Sequence, residues 1–189
     1  MSIAANEAIV VVITGPESCG KSTLAGQLSQ EFGGQLVPEY ARKFVESLNQ
    51  SYKYEDVEHI ARYQYDEFIK LCSKKDSLLF FDTYLIITKV WFTHVYKRCP
   101  LWLDKAIRHS KVDLFLLCMP DLVWVSDNVR ENGHLRGYLF EQYKIELEQY
   151  GFNYVVVSGE GEDRILLAKD YINQLLKSKR TSYGTTHLS

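Results

Sequence analysis

The chain lacks an excess of charge of either sign: 22 Lys and Arg stand against 24 Asp and Glu, for a formal net charge of -2 and a pI near 6.2. Such a balance offers no broad basic face to neutralise backbone phosphates, which argues against DNA or RNA as the main partner. No apolar run approaches the ~20 residues that cross a bilayer. The opening "MSIAANEAIV" has neither a basic stretch nor a small-residue cleavage pattern, so a cytoplasmic protein with no membrane partner is expected. Cysteine is sparse. Cys19, Cys72, Cys99 and Cys118 include no C-x-x-C pair, which suggests neither a zinc site nor a disulfide framework and leaves reduced, mostly packed thiols. The five histidines show no metal-ligand spacing, and without an H-x-G-H sequence nothing points to nucleotidyl transfer.

What is present is a rhythm of buried-strand runs and helical patterns. The runs are "AIVVVIT" (8 to 14), "GQLVPEY" (34 to 40), "SLLFFD" (77 to 82), "VDLFLLCM" (112 to 119) and "NYVVVSG" (153 to 159). Continuous rather than alternating apolar runs indicate strands covered on both faces, and helices between them favour a parallel sheet with right-handed crossovers. A chain of 189 residues, 46% hydrophobic, fits one α/β domain that buries roughly two thirds of its unfolded surface. The segment between the third and fourth strands is long enough for two helices broken near Pro100, a candidate wall of a substrate cleft. Trp91, Trp102 and Trp124 lie in apolar surroundings and are expected in the core. The domain is expected to span 1–177, with the polar stretch from 178 to 189 a disordered tail.

Gly15-Pro-Glu-Ser-Cys-Gly20-Lys21-Ser22 matches G-x-x-x-x-G-K-[ST], after a strand and before a helical pattern. Glycines let the backbone curl so that N–H groups converge on phosphates, and the following helix adds its partial positive charge. Lys21 would hold the β/γ-phosphates, and the Ser22 hydroxyl would ligate Mg2+. Asp82 ends the third strand at the carboxyl edge of the sheet, where an acidic residue near the metal is expected; the alternative is a solvated strand-end carboxylate.

Glu39, in "VPEYAR", lies on the same edge and is the first candidate for general base, unless it only serves a helix start. Tyr40 and Arg42 would flank an acceptor. Gln64 interrupts the apolar stripe Val57, Ile60, Ala61, Phe68, Leu71, so its amide would contact a polar ring substituent of a substrate or cap a backbone group. Arg130 and Arg136 bracket the turn "ENGH", where lid arginines would neutralise a transferring phosphoryl group, unless they are solvated helix-end residues.

These residues resemble the ribosylnicotinamide kinase domain of NadR-type proteins and the related NadR-like P-loop ATPase/kinases. The likeness rests on "GPESCGKSTL", "PEYAR", "FFDTYLIITKVW", "CPLWL" and "PDLVWVSDNVR", and covers residues 8 to 177. It implies a nucleoside-kinase-like P-loop fold with strand order 2-3-1-4-5, which transfers the γ-phosphoryl group of ATP to the 5'-hydroxyl of nicotinamide riboside. It assigns ATP to Gly15, Glu17, Ser18, Cys19, Gly20, Lys21, Ser22 and Thr23, and the acidic roles near metal and acceptor to Glu39 and Asp82. The 130–136 stretch corresponds to the lid. Tyr84 stands where another acidic residue is usual, and Asn128 replaces a Gly of the lid pattern. Without the accompanying DNA-binding and adenylyltransferase modules, a stand-alone kinase is expected. The residues alone leave two other readings open: a kinase for another nucleoside or small alcohol, and a P-loop ATPase or nucleotide-binding regulator that drives a partner. A pyridinium acceptor would favour an aromatic or acidic cleft around Tyr40 and Gln64, and the sequence leaves oligomeric state open without predicting an oligomer.

Overall fold

The computed structural model describes residues 7–48, 50–75, 77–124 and 133–184. Five parallel strands form one sheet in the order β2-β3-β1-β4-β5: β1 (Ile9–Thr14), β2 (Gln35–Val37), β3 (Leu78–Asp82), β4 (Leu114–Cys118) and β5 (Tyr154–Val157). The expected order is therefore the observed one, with β1 at the centre. The second strand is shorter than the run from 34 to 40. Pro38 has no N–H to continue the ladder, and α2 (Tyr40–Ser47) begins two residues later.

The pleat divides the sheet's side chains between two helical layers. Val10 and Val12 of β1, with Leu79, Phe81, Phe115 and Leu117, face α3 (Tyr54–Cys72), α4 (Leu85–Tyr96), α5 (Leu101–His109) and α6 (Arg136–Tyr150). Val11 and Ile13, with Phe80, Leu114 and Leu116, face α1 (Lys21–Phe32) and α7 (Gly161–Gly184). Both faces are dry, which is why the strands read as unbroken apolar runs. Pro100 caps α5, so the β3–β4 connection is the expected helix pair. At the other end, α7 continues to Gly184, into the segment expected to be disordered, because its apolar face packs Ala168 and Ile172 against the sheet.

Trp91 and Trp102 pack against the core at its margin, while Trp124 does not. Trp91 lies at a cavity wall, Trp124 is 36% exposed, and Trp102 donates its indole N–H to Glu58 Oε1 at 2.9 Å under the guanidinium of Arg62. The rings that do fill the core are mostly phenylalanines. Phe80, fully buried on β3 between α1 and the sheet, is one of the largest. Phe80→Ala should cost about 3–5 kcal/mol in urea unfolding, since the rigid strands around it cannot close the cavity.

Candidate active site

Parallel strands bring their carboxyl ends to one edge, and the candidate residues gather there. The loop after β1 crosses this edge in a conformation that needs its glycines. Gly15 has φ +142°, and a Cβ on it would stand 2.6 Å from the carbonyl oxygen of Cys118; Gly20 has φ +74°. Ser18 (φ 51°) and Thr83 (φ 70°) also adopt left-handed backbone, Thr83 directly after Asp82. A β-branched residue there is strained, and such strain collects at functional sites.

Beneath and behind this loop sit its carbonyl partners. Lys21 Nζ donates to Pro16 O at 2.7 Å, and Cys19 Sγ donates to the same oxygen at 2.9 Å. Arg136 donates to Ser18 O (3.2 Å) and Leu122 O (2.9 Å). Burial acts to lower the Lys21 pKa, but Cys19, Glu39 and Asp82 outweigh it and raise the ammonium above its ordinary value. The Cys118 thiol hydrogen bonds to Cys19 and holds Cys19 below the usual thiol range, assisted by Lys21 and Arg164.

A cavity of about 260 Å3 opens from the loop. It is lined by the loop itself, through Gly15, Glu17, Ser18, Cys19, Gly20, Lys21, Ser22 and Thr23. Glu39 and Arg42, at the start of α2, also line it; their charged groups lie 4.0 Å apart. An apolar and aromatic set, Tyr52, Ile87, Val90, Trp91, His94 and Leu139, lines it as well, with Tyr52 and Trp91 packed edge to face at 4.7 Å. Tyr143 joins this lining. Burial pushes its phenol up, so its hydroxyl remains protonated beside Cys19, Glu17 and Glu39.

Asp82 lies beside the cavity rather than in its lining, 5% exposed, and hydrogen bonds to the Ser22 side chain. Burial raises its pKa above the usual carboxylate range, against the opposing pull of Ser22, Lys21 and Arg42. Its Oδ1 is buried without a partner among the described residues. An orphaned carboxylate oxygen next to a hydroxyl is a donor set that suits a hard cation such as Mg2+.

Gln64 Oε1 accepts a hydrogen bond from Thr88 Oγ1 at 2.8 Å, which ties α3 to α4. Tyr40 stacks on Tyr63 at 3.7 Å and meets His59 at 3.1 Å. Tyr40 and Gln64 line a second, small pocket together with Glu67 and Asp82, whereas the aromatic residues of the larger cavity include Tyr52 and Trp91. Arg136 backs the loop, with 9% exposure, instead of reaching over the cavity. Arg130 lies outside the described residues, as does Asn128. Tyr84, at the position where an acidic residue is usual, points into the helical layer: its ring stacks on Phe68 and its hydroxyl meets Ser110 at 2.9 Å. Two cavity residues, Tyr52 and Tyr143, gave no signal in the sequence because an isolated Tyr carries no motif.

The geometry agrees with what the chain is similar to. It is 28% identical over 180 residues to the "Trifunctional NAD biosynthesis/regulator protein NadR" of Escherichia coli strain K12, covering 90% of this chain and 43% of that protein. The crystal structure of a NadR protein in complex with NR superposes with a TM-score of 0.79 at 24% identity, over 89% of this chain and 51% of that one. Deoxyadenosine kinase from M. mycoides superposes with a TM-score of 0.63 at 14% identity, over 88% of this chain and all of the other. The chain thus spans about half the length, or less, of the NadR proteins it matches. A family model described as an AAA domain (AAA_28) matches residues 10–164, from β1 through the start of α7, and the chain belongs to that P-loop family.

Proposed function

We propose that the protein is an ATP-dependent kinase that phosphorylates the 5'-hydroxyl of nicotinamide riboside to give nicotinamide mononucleotide. The observation that carries this reading is that one cavity is lined by the phosphate-loop residues, by the Glu39 carboxylate and by aromatic rings. Similarity to NadR over most of the chain supports the choice of acceptor. A cationic nicotinamide ring is attracted to aromatic faces, which suits Tyr52 and Trp91.

On this reading the loop N–H groups and Lys21 bind the ATP phosphates. Lys21 exchanges its internal bond to Pro16 O for phosphate oxygens, so the cation is already at hand when nucleotide arrives. Ser22 and Asp82 would hold Mg2+, which supplies charge neutralisation at the phosphates when bound. Glu39 lines the same cavity as the loop and the aromatic rings, and on this reading it accepts the proton of the attacking hydroxyl. Asp82, buried and engaged with Ser22, serves the metal side and not the base. Positioning and electrostatics do most of the work in such a transfer.

Incubation with Mg-ATP and a panel of nicotinamide riboside, common nucleosides and thiamine, read by mass spectrometry, tests the proposal. Nicotinamide mononucleotide formed together with ADP is the expected result; ADP without a phosphorylated acceptor would replace the kinase with an ATPase or regulator. Lys21→Ala should abolish turnover. Glu39→Gln should lower kcat by about 100-fold or more while leaving ATP affinity intact, and unchanged kinetics would remove Glu39 as base. Because the folded-state pKa of Asp82 is raised, its ionised form opposes folding; this cost is full above the raised value and fades as pH falls from there to the ordinary carboxylate value. Asp82→Asn should therefore raise the melting temperature of the ligand-free protein by a few degrees while eliminating activity.

A further inference from the structure

Arg164, near the start of α7, matches no phosphate-loop or acceptor motif, yet it is 4% exposed and directly supports the loop. Its Nη2 donates to Cys19 O at 2.9 Å and to Met119 O at 3.0 Å. Its Nη1 donates to Asp121 Oδ1 at 2.7 Å and to Gly159 O at 2.7 Å. Both hydrogens on each terminal nitrogen are thereby engaged, as only a planar guanidinium allows. Asp121 balances the buried charge, and through Oδ2 it also accepts the Gly159 N–H at 2.7 Å. One side chain thus joins the phosphate loop, the end of β4 and the loop after β5.

The consequence follows from the planarity of the peptide bond. In a trans peptide the C=O and the next residue's N–H point in opposite directions. A donor that holds the Cys19 carbonyl from behind the loop therefore turns the Gly20 N–H toward the cavity that Gly20 lines. Arg136 does the same one residue earlier, holding Ser18 O and so orienting the Cys19 N–H. With φ of +74° at Gly20, the backbone there is free to rotate away unless something fixes it.

We propose that Arg164 is a positioning residue for nucleotide binding: by gripping Cys19 O it aims the Gly20 N–H at the phosphates, and Asp121 keeps its fork in place. The inference rests on the nucleotide-binding reading of the loop, but not on the identity of the acceptor. It differs from a purely structural role, which would lower the folded fraction and leave the affinity of each folded molecule unchanged.

Calorimetric titration of the full chain with ADP, beside a thermal melt, separates the cases. Arg164→Gln should weaken ADP binding by roughly 10- to 100-fold, from the loss of charge-assisted bonds to the loop. KM for ATP should rise by a similar factor, with kcat and the acceptor KM nearly unchanged. Asp121→Asn, a milder change at a partly exposed position, should shift ADP affinity several-fold in the same direction, and it decides the matter alone if Arg164→Gln does not fold. Wild-type affinity in folded Arg164→Gln or in Asp121→Asn would overturn the proposal. Failure of the unaltered protein to bind ADP would instead overturn the nucleotide reading, and this inference with it.

Discussion

A phosphate loop works only if its carbonyls are held outward. The N–H groups that bind an anion can converge only when the oxygens on the opposite side of each peptide have partners of their own, because a buried carbonyl left unpaired is costly. In this protein Ser18 O is held by Arg136 and Cys19 O by Arg164, while Pro16 O is held by Cys19 and, before nucleotide arrives, by Lys21. The three cations come from α1, α6 and α7, so the cradle is assembled by the fold and not by the loop alone.

That dependence explains the architecture around it. β1 is the central strand, bonded on both sides along its length, and it delivers the loop to the sheet edge on a rigid base. β3 brings Asp82 alongside, the short β2 and Pro38 release the chain in time to start α2 with Glu39, and β4 ends at Cys118 against the loop. The two apolar layers hold these ends in register. The departures from comfort, strained Thr83 and the orphaned Asp82 oxygen, gather at this same edge.

Much of this was legible in the sequence, for physical reasons. Strands buried on both faces produce runs such as "LLFFD" that few other contexts explain, and G-x-x-x-x-G-K-S between strand and helix is a pattern that few arrangements satisfy. The aromatic part of the cavity lining was not legible. Trp91 lies on α4, whose other residues Leu85, Ile86, Val90 and Phe92 pack in the core, and helical periodicity cannot tell a face that packs from one that lines a cleft. Gln64 was half legible: a polar residue on a buried stripe signals a hydrogen bond, but not with whom, and one partner is Thr88. Arg164 lay among ordinary helix-start charges in "GEGEDRILL", and only the folding of α7 onto β4 reveals its task.

In the proposed reaction the cradle and the Glu39 side of the cavity cooperate to pass a phosphoryl group to a nucleoside hydroxyl rather than to water. The partition of label from γ-labelled ATP between nicotinamide riboside and inorganic phosphate measures this directly. Label almost entirely in nicotinamide mononucleotide is the expected result, with phosphate release slow when the acceptor is omitted. Label released as inorganic phosphate at the same rate with and without the riboside would contradict it.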